Sequence, residues 1–363
     1  MTFYMTMANI FLCLAIVKSY IPNIKYKSFR GKIKSISIIW AVILLALIVI
    51  LGFRDIFTVD SYVYRSAFNY INSSNEIVRT FEVSYDWLNR FVYLLGGNVH
   101  NVFFIASLLS IVFLAKGLKD VEYNRYLFIV FYLLTFQYFD LFNIVRQGIS
   151  MSIFFYASKY IYMRKWKNYM LLTAVAISFH YSALIMLPVY FIGNRRISFA
   201  KMIFSVGTFY FLTMFLNQTD ILSLIFKGLW RENYSGEFEL AFITIAEIII
   251  AFVVLFFKDK LCKNEKDNLY LNLTWLFILF RVGATELFII HRFSKYFINF
   301  YIISLLMFSG ILRNRNIKII IQMGVLFFYQ LWFYFYMSNY ESFHPYSIVP
   351  ISKMIEFLGS TFK

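Results

Sequence analysis

Three polar side chains stand close together between two long apolar runs, in the segment LFNIVRQGIS. They are Asn143, Arg146 and Gln147, and Arg146 carries a charge where a neutral residue would suffice. An arginine near the middle of a bilayer costs roughly 2.5–3.5 kcal/mol on insertion scales. Its planar guanidinium can hold a phosphate or a carboxylate through two parallel hydrogen bonds. The pattern therefore favours an anion-binding site, and an arginine that only extends to the membrane surface is the simpler alternative.

A second group of chemically capable residues follows the apolar run that ends near residue 52. The segment FRDIFTVDSYVYR contains Arg54, Asp55, Asp60, Tyr64 and Arg65. On a helix that begins near Asp60, Asp60 and Tyr64 share one face. A carboxylate beside arginines can act as a general base toward a hydroxyl group. A solvated helix with internal salt bridges has the same pattern, so both interpretations stay open.

Histidine and arginine supply further candidate sites along the chain. His180, in the segment SFHYS, could exchange a proton with a substrate or could hold a turn through a backbone hydrogen bond. Arg292 belongs to the segment HRFSKYF. Arg281 lies deeper in an apolar run, where it needs Glu286 or another carboxylate as its partner unless it belongs to a site.

The elements that must position these residues are membrane helices. Of the 363 residues, 61% are hydrophobic and only 15% are charged, which is more apolar surface than a soluble domain of this size can bury. The composition predicts an all-α, polytopic integral membrane protein with eleven or twelve transmembrane helices in a single domain, residues 1–363. The longest apolar runs are Ile36–Gly52, Asn101–Ala115, Tyr126–Phe139, Ile144–Met163, Leu240–Phe257, Leu269–Gly283, Phe297–Ile311 and Ile319–Tyr336.

Basic residues are concentrated in alternate loops, and this distribution predicts the topology. Six loops hold 22 of the 35 Lys and Arg residues and are predicted to face the cytoplasm: 18–34, 116–125, 164–167, 194–201, 258–266 and 313–318. The loops 53–98, 140–146, 218–238, 286–296 and 337–363 are then predicted to face outward. Loop 53–98 contains amphipathic segments, of which 82–96 is expected to lie in the membrane interface.

The charge distribution also predicts a broken helix pair near residue 180. A single span from Asn168 to Ile192 would put the basic segments RKWK and NRRISFAK on opposite sides, although both have cytoplasmic character. Two short helices that meet at SFHYS remove the conflict, provided that the chain turns within the protein and not in lipid. His180 is then predicted to lie at the turn.

The outward loops are rich in arginine, which indicates a polar cavity on that side. Seven of their eleven basic residues are Arg, against seven of 22 in the inward loops. Because the basic residues are distributed over the loops between apolar runs, the positive net charge does not indicate a nucleic acid partner. The sequence has no Asp-x-Asp pair, no Gly-rich phosphate loop and no cysteine cluster, so neither a metal nor another cofactor is expected.

Three stretches together resemble the EpsG family of bacterial exopolysaccharide polymerases, which are Wzy-type enzymes. They are the Arg54, Asp60, Tyr64 group, the long segment 143–188 with its Asn-x-x-Arg-Gln element and its Phe-His-x-Ser-Ala end, and HRFSKYF at 291–297. One departure concerns the first stretch, because the family usually has a glycine where this chain has Thr58.

The resemblance implies a glycosyltransferase at the outer face of the bacterial cytoplasmic (inner) membrane. Its substrates would be oligosaccharide repeat units on undecaprenyl pyrophosphate, and its partners would be membrane lipid, a flippase and a chain-length regulator. The implied catalytic residues are Asp60 and His180, with Asp55 and Glu82 as alternative bases. The implied substrate-binding residues are Arg54, Tyr64, Asn143, Arg146, Gln147 and Arg292.

Other functions remain open on the sequence. A polysaccharide ligase, or another lipid-linked glycosyltransferase, uses the same donor chemistry. A flippase would share the basic cavity but would need polar groups that are reachable from both faces. A membrane acyltransferase would use a buried histidine, and the outward arginines would then have no explanation. The identity of the polymer, whether O-antigen, capsule or exopolysaccharide, is not encoded in these motifs.

Overall fold

A computed structural model describes most of the chain. The described residues are 2–18, 24–27, 33–56, 58–73, 78–219, 242–310, 314–339 and 346–347. Most of the predicted outward loops 218–238 and 337–363 lies outside these ranges.

Helices make up about 80% of the described residues, as predicted for an all-α protein. In lipid every backbone polar group must be paired within the protein, and helices achieve this within one segment. The first half contains α1 (Thr2–Val17), α2 (Ile38–Gly52), α3 (Val59–Ser73), α4 (Val83–Leu94), α5 (Val99–Leu118), α6 (Arg125–Leu134), α7 (Gln137–Asp140), α8 (Val145–Ala157), α9 (Lys159–Tyr162) and α10 (Trp166–Phe179). A 3-10 helix, Tyr181–Ile185, follows α10.

The remaining helices are α11 (Met186–Gly193), α12 (Phe199–Asn217), α13 (Phe242–Phe256), α14 (Lys258–Leu261), α15 (Glu265–Gly283), α16 (Phe288–Ser294), α17 (Ile298–Phe308) and α18 (Arg315–Asn339). One small antiparallel hairpin pairs β1 (Ile24–Lys27) with β2 (Ile33–Ile36) in the predicted inward loop 18–34.

Several helices have the length and composition of membrane spans. Within the described ranges, three are long and apolar enough to cross a bilayer: Val99–Leu118, Phe199–Asn217 and Asn316–Ser338. Six shorter apolar helical stretches of 10–17 residues accompany them. The fold is thus that of a polytopic membrane protein, and the count of eleven or twelve spans stays a prediction.

The chain forms two compact units. The first unit comprises residues 1–156, 172–183 and 326–363, and the second comprises 157–171 and 184–325. The prediction of a single transmembrane domain is not tested by this division. All the residues of the candidate site described below belong to the first unit.

The first unit is built around the contact between α2 and α5. Gly52 allows this contact, because a Cβ atom there would lie 2.9 Å from Phe104 Cδ2 and 3.1 Å from Phe104 Cα. Ser107 on α5 donates a hydrogen bond to the Ile48 carbonyl of α2 (3.0 Å). The amphipathic helices α3 and α4 pack on each other and on α5.

The second unit is built around α15, which packs against α9, α11, α12, α13, α16 and α17. Polar side chains are hydrogen-bonded to one another beside the N-terminal half of α15. Lys258 Nζ donates to Asn272 Oδ1 (2.7 Å), and Asn272 Nδ2 donates to the carbonyls of Gly193 and Arg195.

Two predicted apolar runs are each broken into two helices. The run Tyr126–Phe139 divides at Phe136, whose φ of 62° is left-handed. The Phe136 ring stacks on Phe333 at 4.8 Å between centroids, so aromatic packing accompanies a break that has neither Gly nor Pro. The run Ile144–Met163 divides at Ser158.

The predicted break near residue 180 is confirmed. Helix α10 ends at Phe179, His180 is not helical, and a 3-10 helix begins at Tyr181. The backbone N–H of His180 still donates to Ala176 O (3.0 Å), and its carbonyl accepts from Ala183 N (3.0 Å). His180 therefore lies at the turn, as predicted.

Candidate functional site

Glu82 lies at the centre of a cluster of ionisable side chains in the first unit. Its side chain is only 4% exposed. Oε2 accepts a hydrogen bond from Arg146 Nη1, while Oε1 lies 2.7 Å from His180 Nδ1 and accepts from the backbone N–H of Tyr181 (3.2 Å). One carboxylate thus holds a cation with one oxygen and a histidine with the other.

The backbone around Glu82 is fixed by its neighbours. Glu82 is the extended residue that precedes α4. One turn further on, Asp86 accepts hydrogen bonds from the backbone N–H groups of Thr80 (3.0 Å) and Phe81 (3.1 Å). Arg90 donates to the Val78 carbonyl (3.3 Å). The hydrogen bonds of Asp86 and Arg90 therefore connect residues 78–81 to α4 and fix the backbone that leads into Glu82.

His180 is attached to the same site through the end of α10. Ser84 on α4 donates a hydrogen bond to Ser178 (2.7 Å), two residues before His180. Ser150 on α8 donates to the Ala176 carbonyl (2.8 Å). These bonds tie α4 and α8 to the last turn of α10, so that the break at His180 brings its ring to Glu82.

Arg146, in the first turn of α8, also contacts aromatic rings. Its guanidinium lies 4.2 Å from the centroid of Phe81 and 5.9 Å from that of Tyr64, and the Tyr64 side chain is hydrogen-bonded to it. Tyr64 is itself buried against Phe81 and Tyr85. The rings shield the ion pair from water on one side, while 22% of the Arg146 side chain remains exposed.

The electrostatics favour an ionised Glu82. Burial alone would raise its pKa, but the hydrogen bond from His180 and the positive charge of Arg146 outweigh that effect and hold the pKa of Glu82 at about 2. Glu82 precedes α4 and lies outside the candidate membrane spans. The cluster therefore contains a carboxylate anion at any physiological pH.

This arrangement can perform acid–base and anion-binding chemistry. When His180 Nδ1–H donates to the Glu82 carboxylate, the lone pair of the neutral ring is on Nε2, the atom that can accept a proton. Arg146 has five N–H donors, and Glu82 and Tyr64 use only part of them. Among the described residues, the buried Tyr85 hydroxyl has no hydrogen-bond partner, so a further donor lies beside the cluster.

The structure brings together only some of the predicted site residues. Arg146, His180 and Tyr64 form one cluster with Glu82. Asn143 lies half-buried in the turn before α8, and Gln147 is buried on α8 beside Arg146 in sequence. Asp60 lies in the first turn of α3, where its charge acts on Tyr64. The predicted roles of Asn143, Gln147 and Asp60 are not tested by these positions and stay predictions.

Arg54 occupies a position that its predicted role did not anticipate. The residue is 1% exposed. Its Nη1 donates to the Leu51 carbonyl (2.6 Å), its Nη2 donates to the Phe142 carbonyl (3.2 Å), and its guanidinium stacks 4.2 Å from the Phe103 centroid. A guanidinium with main-chain partners links the end of α2 to the segment before α8. Its part in substrate binding remains a prediction that this geometry does not support.

A second buried cluster lies in the second unit. Arg281 on α15 donates to Glu247 of α13 (2.6 Å), and its Nη1 lies 2.9 Å from His291 Nδ1. Of the two alternatives for Arg281, the structure shows a carboxylate partner, which is Glu247 and not Glu286. Arg292 lies next to His291 on α16. Arg292 and Arg146 were both predicted to bind the substrate. They belong to different units, and the shared role stays a prediction.

Glu82 is the residue of the cluster that the sequence patterns indicated least clearly. It was one of several carboxylates in loop 53–98 and only an alternative base. Its partners Arg146 and His180 are 64 and 98 positions away in the chain, so no local spacing indicates the contact.

The comparison with known protein families decides the classification. The EpsG family matches residues 37–348, which include the Glu82, Arg146, His180 cluster and most of the chain. This chain belongs to the EpsG family. That family comprises Wzy-like polysaccharide polymerases and exopolysaccharide biosynthesis proteins. No curated protein and no solved structure matches the chain. As an EpsG-family member, the protein has a membrane-embedded, polymerase-type role in polysaccharide biosynthesis.

Proposed function

We propose that this EpsG-family protein polymerises oligosaccharide repeat units carried on undecaprenyl pyrophosphate. The growing chain is transferred from its lipid carrier onto the incoming repeat unit. The reaction takes place at the outer face of the bacterial cytoplasmic membrane and needs no metal. The observation that carries the proposal is the Arg146, Glu82, His180 cluster, which combines a cation for the leaving group with an oriented base for the attacking hydroxyl.

Arg146 neutralises the leaving group. A pyrophosphate departs with its negative charge and needs electrostatic stabilisation more than a proton. The guanidinium is held by Glu82 and by the rings of Phe81 and Tyr64, so its direction is set before substrate binds. Its exposed part offers the remaining N–H donors to a phosphate oxygen.

His180 accepts the proton of the attacking hydroxyl. The acceptor oxygen forms a bond to the anomeric carbon of the donor sugar while the bond from that carbon to the pyrophosphate oxygen breaks. The hydroxyl proton moves to His180 Nε2, and undecaprenyl pyrophosphate leaves with the electron pair. Glu82 fixes the ring tautomer through Nδ1 and stabilises the imidazolium that forms, as carboxylates do beside catalytic histidines.

Asp60 is the competing base, and the EpsG resemblance is what supports it. The contact between His180 Nδ1 and Glu82 Oε1 (2.7 Å) orients the imidazole and favours His180 as the base. A polysaccharide ligase would use the same cluster for the same bond exchange, so the geometry does not separate it from a polymerase.

The experiment that tests the function uses cells in which the gene is replaced by an inactive allele, His180→Gln, expressed at the wild-type level. Lipid-linked material is extracted and sized. A polymerase predicts that single repeat units on lipid accumulate and that long polymer disappears. Complete polymer without its final attachment would indicate a ligase, and repeat units confined to the inner leaflet would indicate a flippase. Either result would overturn the proposal.

A further inference from the structure

A separate polar cavity lies in the first unit, outside the Glu82 cluster. Its volume is about 370 Å³, and the polar residues in its wall come from three elements. These elements are the segment after α2, helix α3 and the beginning of α5. The lining residues used below are Asp55, Arg65, Phe68, Asn69, Asn98 and His100.

Helix α3 separates this cavity from the Arg146 cluster and contacts both. Tyr64 is directed toward Phe81 and Arg146. Arg65 and Asn69 are four residues apart and share one face of α3, and Phe68 lies between that face and the one that carries Tyr64. Phe103 on α5 packs edge-on against Tyr64 (6.1 Å) and against His100 (6.3 Å). One aromatic ring therefore lies between the cavity wall and the tyrosine that is bonded to Arg146.

Two polar residues of the cavity wall, Asp55 and Asn98, are held by hydrogen bonds. Asp55 accepts a hydrogen bond from Ile56 N (2.8 Å), and its own N–H donates to the Ser347 carbonyl (2.9 Å). Asn98 caps α5, accepting from His100 N (2.9 Å), and Asn101 bonds back to the Asn98 N–H (2.9 Å). These bonds fix the directions of the side chains before a ligand arrives, which reduces the ordering cost of binding.

The chemistry of the wall suits a ligand rich in hydroxyl groups. Arg65 and Asp55 carry opposite charges, and amides and an imidazole supply both donors and acceptors. The balance of charge disfavours a pyrophosphate. Phe68 adds an apolar surface of the type on which the C–H face of a sugar ring can rest. The volume falls at the lower end of the range for small-ligand pockets, roughly 300–1,000 Å³.

We infer that this cavity is a binding subsite for a hexopyranose residue, and that it holds one sugar of the repeat unit one aromatic layer away from the reacting bond. The inference rests on the proposed function, because it gives that reaction its site of substrate recognition. The cavity is distinct from the Glu82 cluster, so sugar binding and catalysis can be removed separately.

The test measures sugar binding without catalysis. The full chain is purified in detergent, and saturation-transfer NMR is recorded with methyl hexopyranosides and methyl N-acetylhexosaminides at millimolar concentration. At least one of these sugars should bind to wild type, and Asn69→Leu should weaken that binding tenfold or more by filling the cavity. The matched control is Ser66→Leu, an exposed position on α3 that does not line the cavity, which should bind like wild type.

His180→Gln separates this inference from the proposed function. It should bind the sugar like wild type while forming no polymer. Sugar binding that is lost in Asn69→Leu, with polymer still formed by His180→Gln, would refute the catalytic proposal and leave the subsite standing. Wild type that binds none of the sugars, or Asn69→Leu that binds them unchanged, would overturn the subsite.

Discussion

Glu82 accounts for the positions of two side chains of the candidate site, since Arg146 and His180 bind its two carboxylate oxygens separately. Replacing one partner of a buried ion pair is strongly destabilising, because it leaves the other charge uncompensated. The position of Glu82 therefore couples the stability of the first unit to the geometry of its site.

Glu82→Gln should lower stability by up to roughly 3–5 kcal/mol, and the effect should depend on pH. The folded pKa of Glu82 is held at about 2, below its ordinary value of 4.5. A depressed pKa stabilises the fold fully above about pH 4.5, and this contribution is lost as the pH falls toward about 2. Thermal unfolding of both proteins in detergent would measure it.

The matched control for that substitution is Glu265→Gln. Glu265 pairs with Arg164 at 3.5 Å, and both side chains are 65% exposed, so this change should have almost no effect. A difference between wild type and Glu82→Gln that did not shrink at low pH would contradict the assignment.

His180 and Asp60 are separated by comparing their polar, uncharged replacements. His180→Gln should abolish polymer at normal protein levels, because glutamine cannot accept the proton. Asp60→Asn should retain most activity if its charge serves only to position Tyr64. Polymer length in complemented cells is the readout, with protein levels measured by immunoblot. If Asp60→Asn and His180→Gln both form polymer like wild type, neither residue is the base.

At the residue scale, the sequence indicated some residues of the Glu82 cluster and gave no signal for others. The sequence indicated Arg146 and His180 as candidates, because a charge between apolar runs and a break between basic loops are both visible in it, and the structure places both beside Glu82. Their roles stay predictions. Arg54 was not distinguishable from a ligand-binding arginine, since its partners are main-chain carbonyls that leave no pattern of residue types. Glu82 has local neighbours much like those of other carboxylates in its loop.

At the scale of elements, the contact between α2 and α5 supports α3 and α4, which pack on α5. Arg54 follows the end of α2 directly. A shift of α2 relative to α5 would therefore move the aromatic layer that contacts Arg146.

Gly52→Ala should destabilise the protein by about 1–3 kcal/mol, because the new methyl group would lie within 3.1 Å of Phe104 atoms, including its backbone Cα. Gly207→Ala is the control, since nothing lies within 4 Å of a Cβ atom there and alanine favours a helix. The melting temperatures of the two variants should move in opposite directions or differ by several degrees. Equal melting temperatures would show that α2 and α5 can separate without cost.

Element boundaries were predictable where hydrophobicity or charge changes, and less so elsewhere. Helix α2 and the break at His180 follow from apolar length and from loop charge. The division at Phe136 was missed because the segment has no Gly or Pro, and the left-handed turn there accompanies packing on Phe333, almost two hundred residues away in the chain.

At the scale of the whole molecule, the proposed polymerase reaction requires the Glu82 cluster to lie on the outer side of the membrane. Loops 53–98 and 286–296 are predicted to be outside, and loop 258–266 to be inside. In intact cells, native Cys262 should be protected from a membrane-impermeant thiol reagent, and a cysteine at exposed Ser73 should be labelled. Cys13→Ala removes the other native thiol, and permeabilised cells supply the control for Cys262. Labelling of Cys262 but not of position 73 would place the Glu82 cluster on the wrong side for an outward-facing polymerase.

Arg146 is proposed to stabilise the departing lipid pyrophosphate during polymerisation. The measurement is polymer formed by purified protein in liposomes that contain lipid-linked repeat units. Removing a charge-stabilising donor of this kind should cost roughly 2.7–4 kcal/mol, so Arg146→Ala should be slower by about 10²–10³-fold. Arg146→Lys keeps the charge but loses the planar fork, so it should recover only part of the rate. A wild-type rate in correctly folded Arg146→Ala would contradict this role of Arg146.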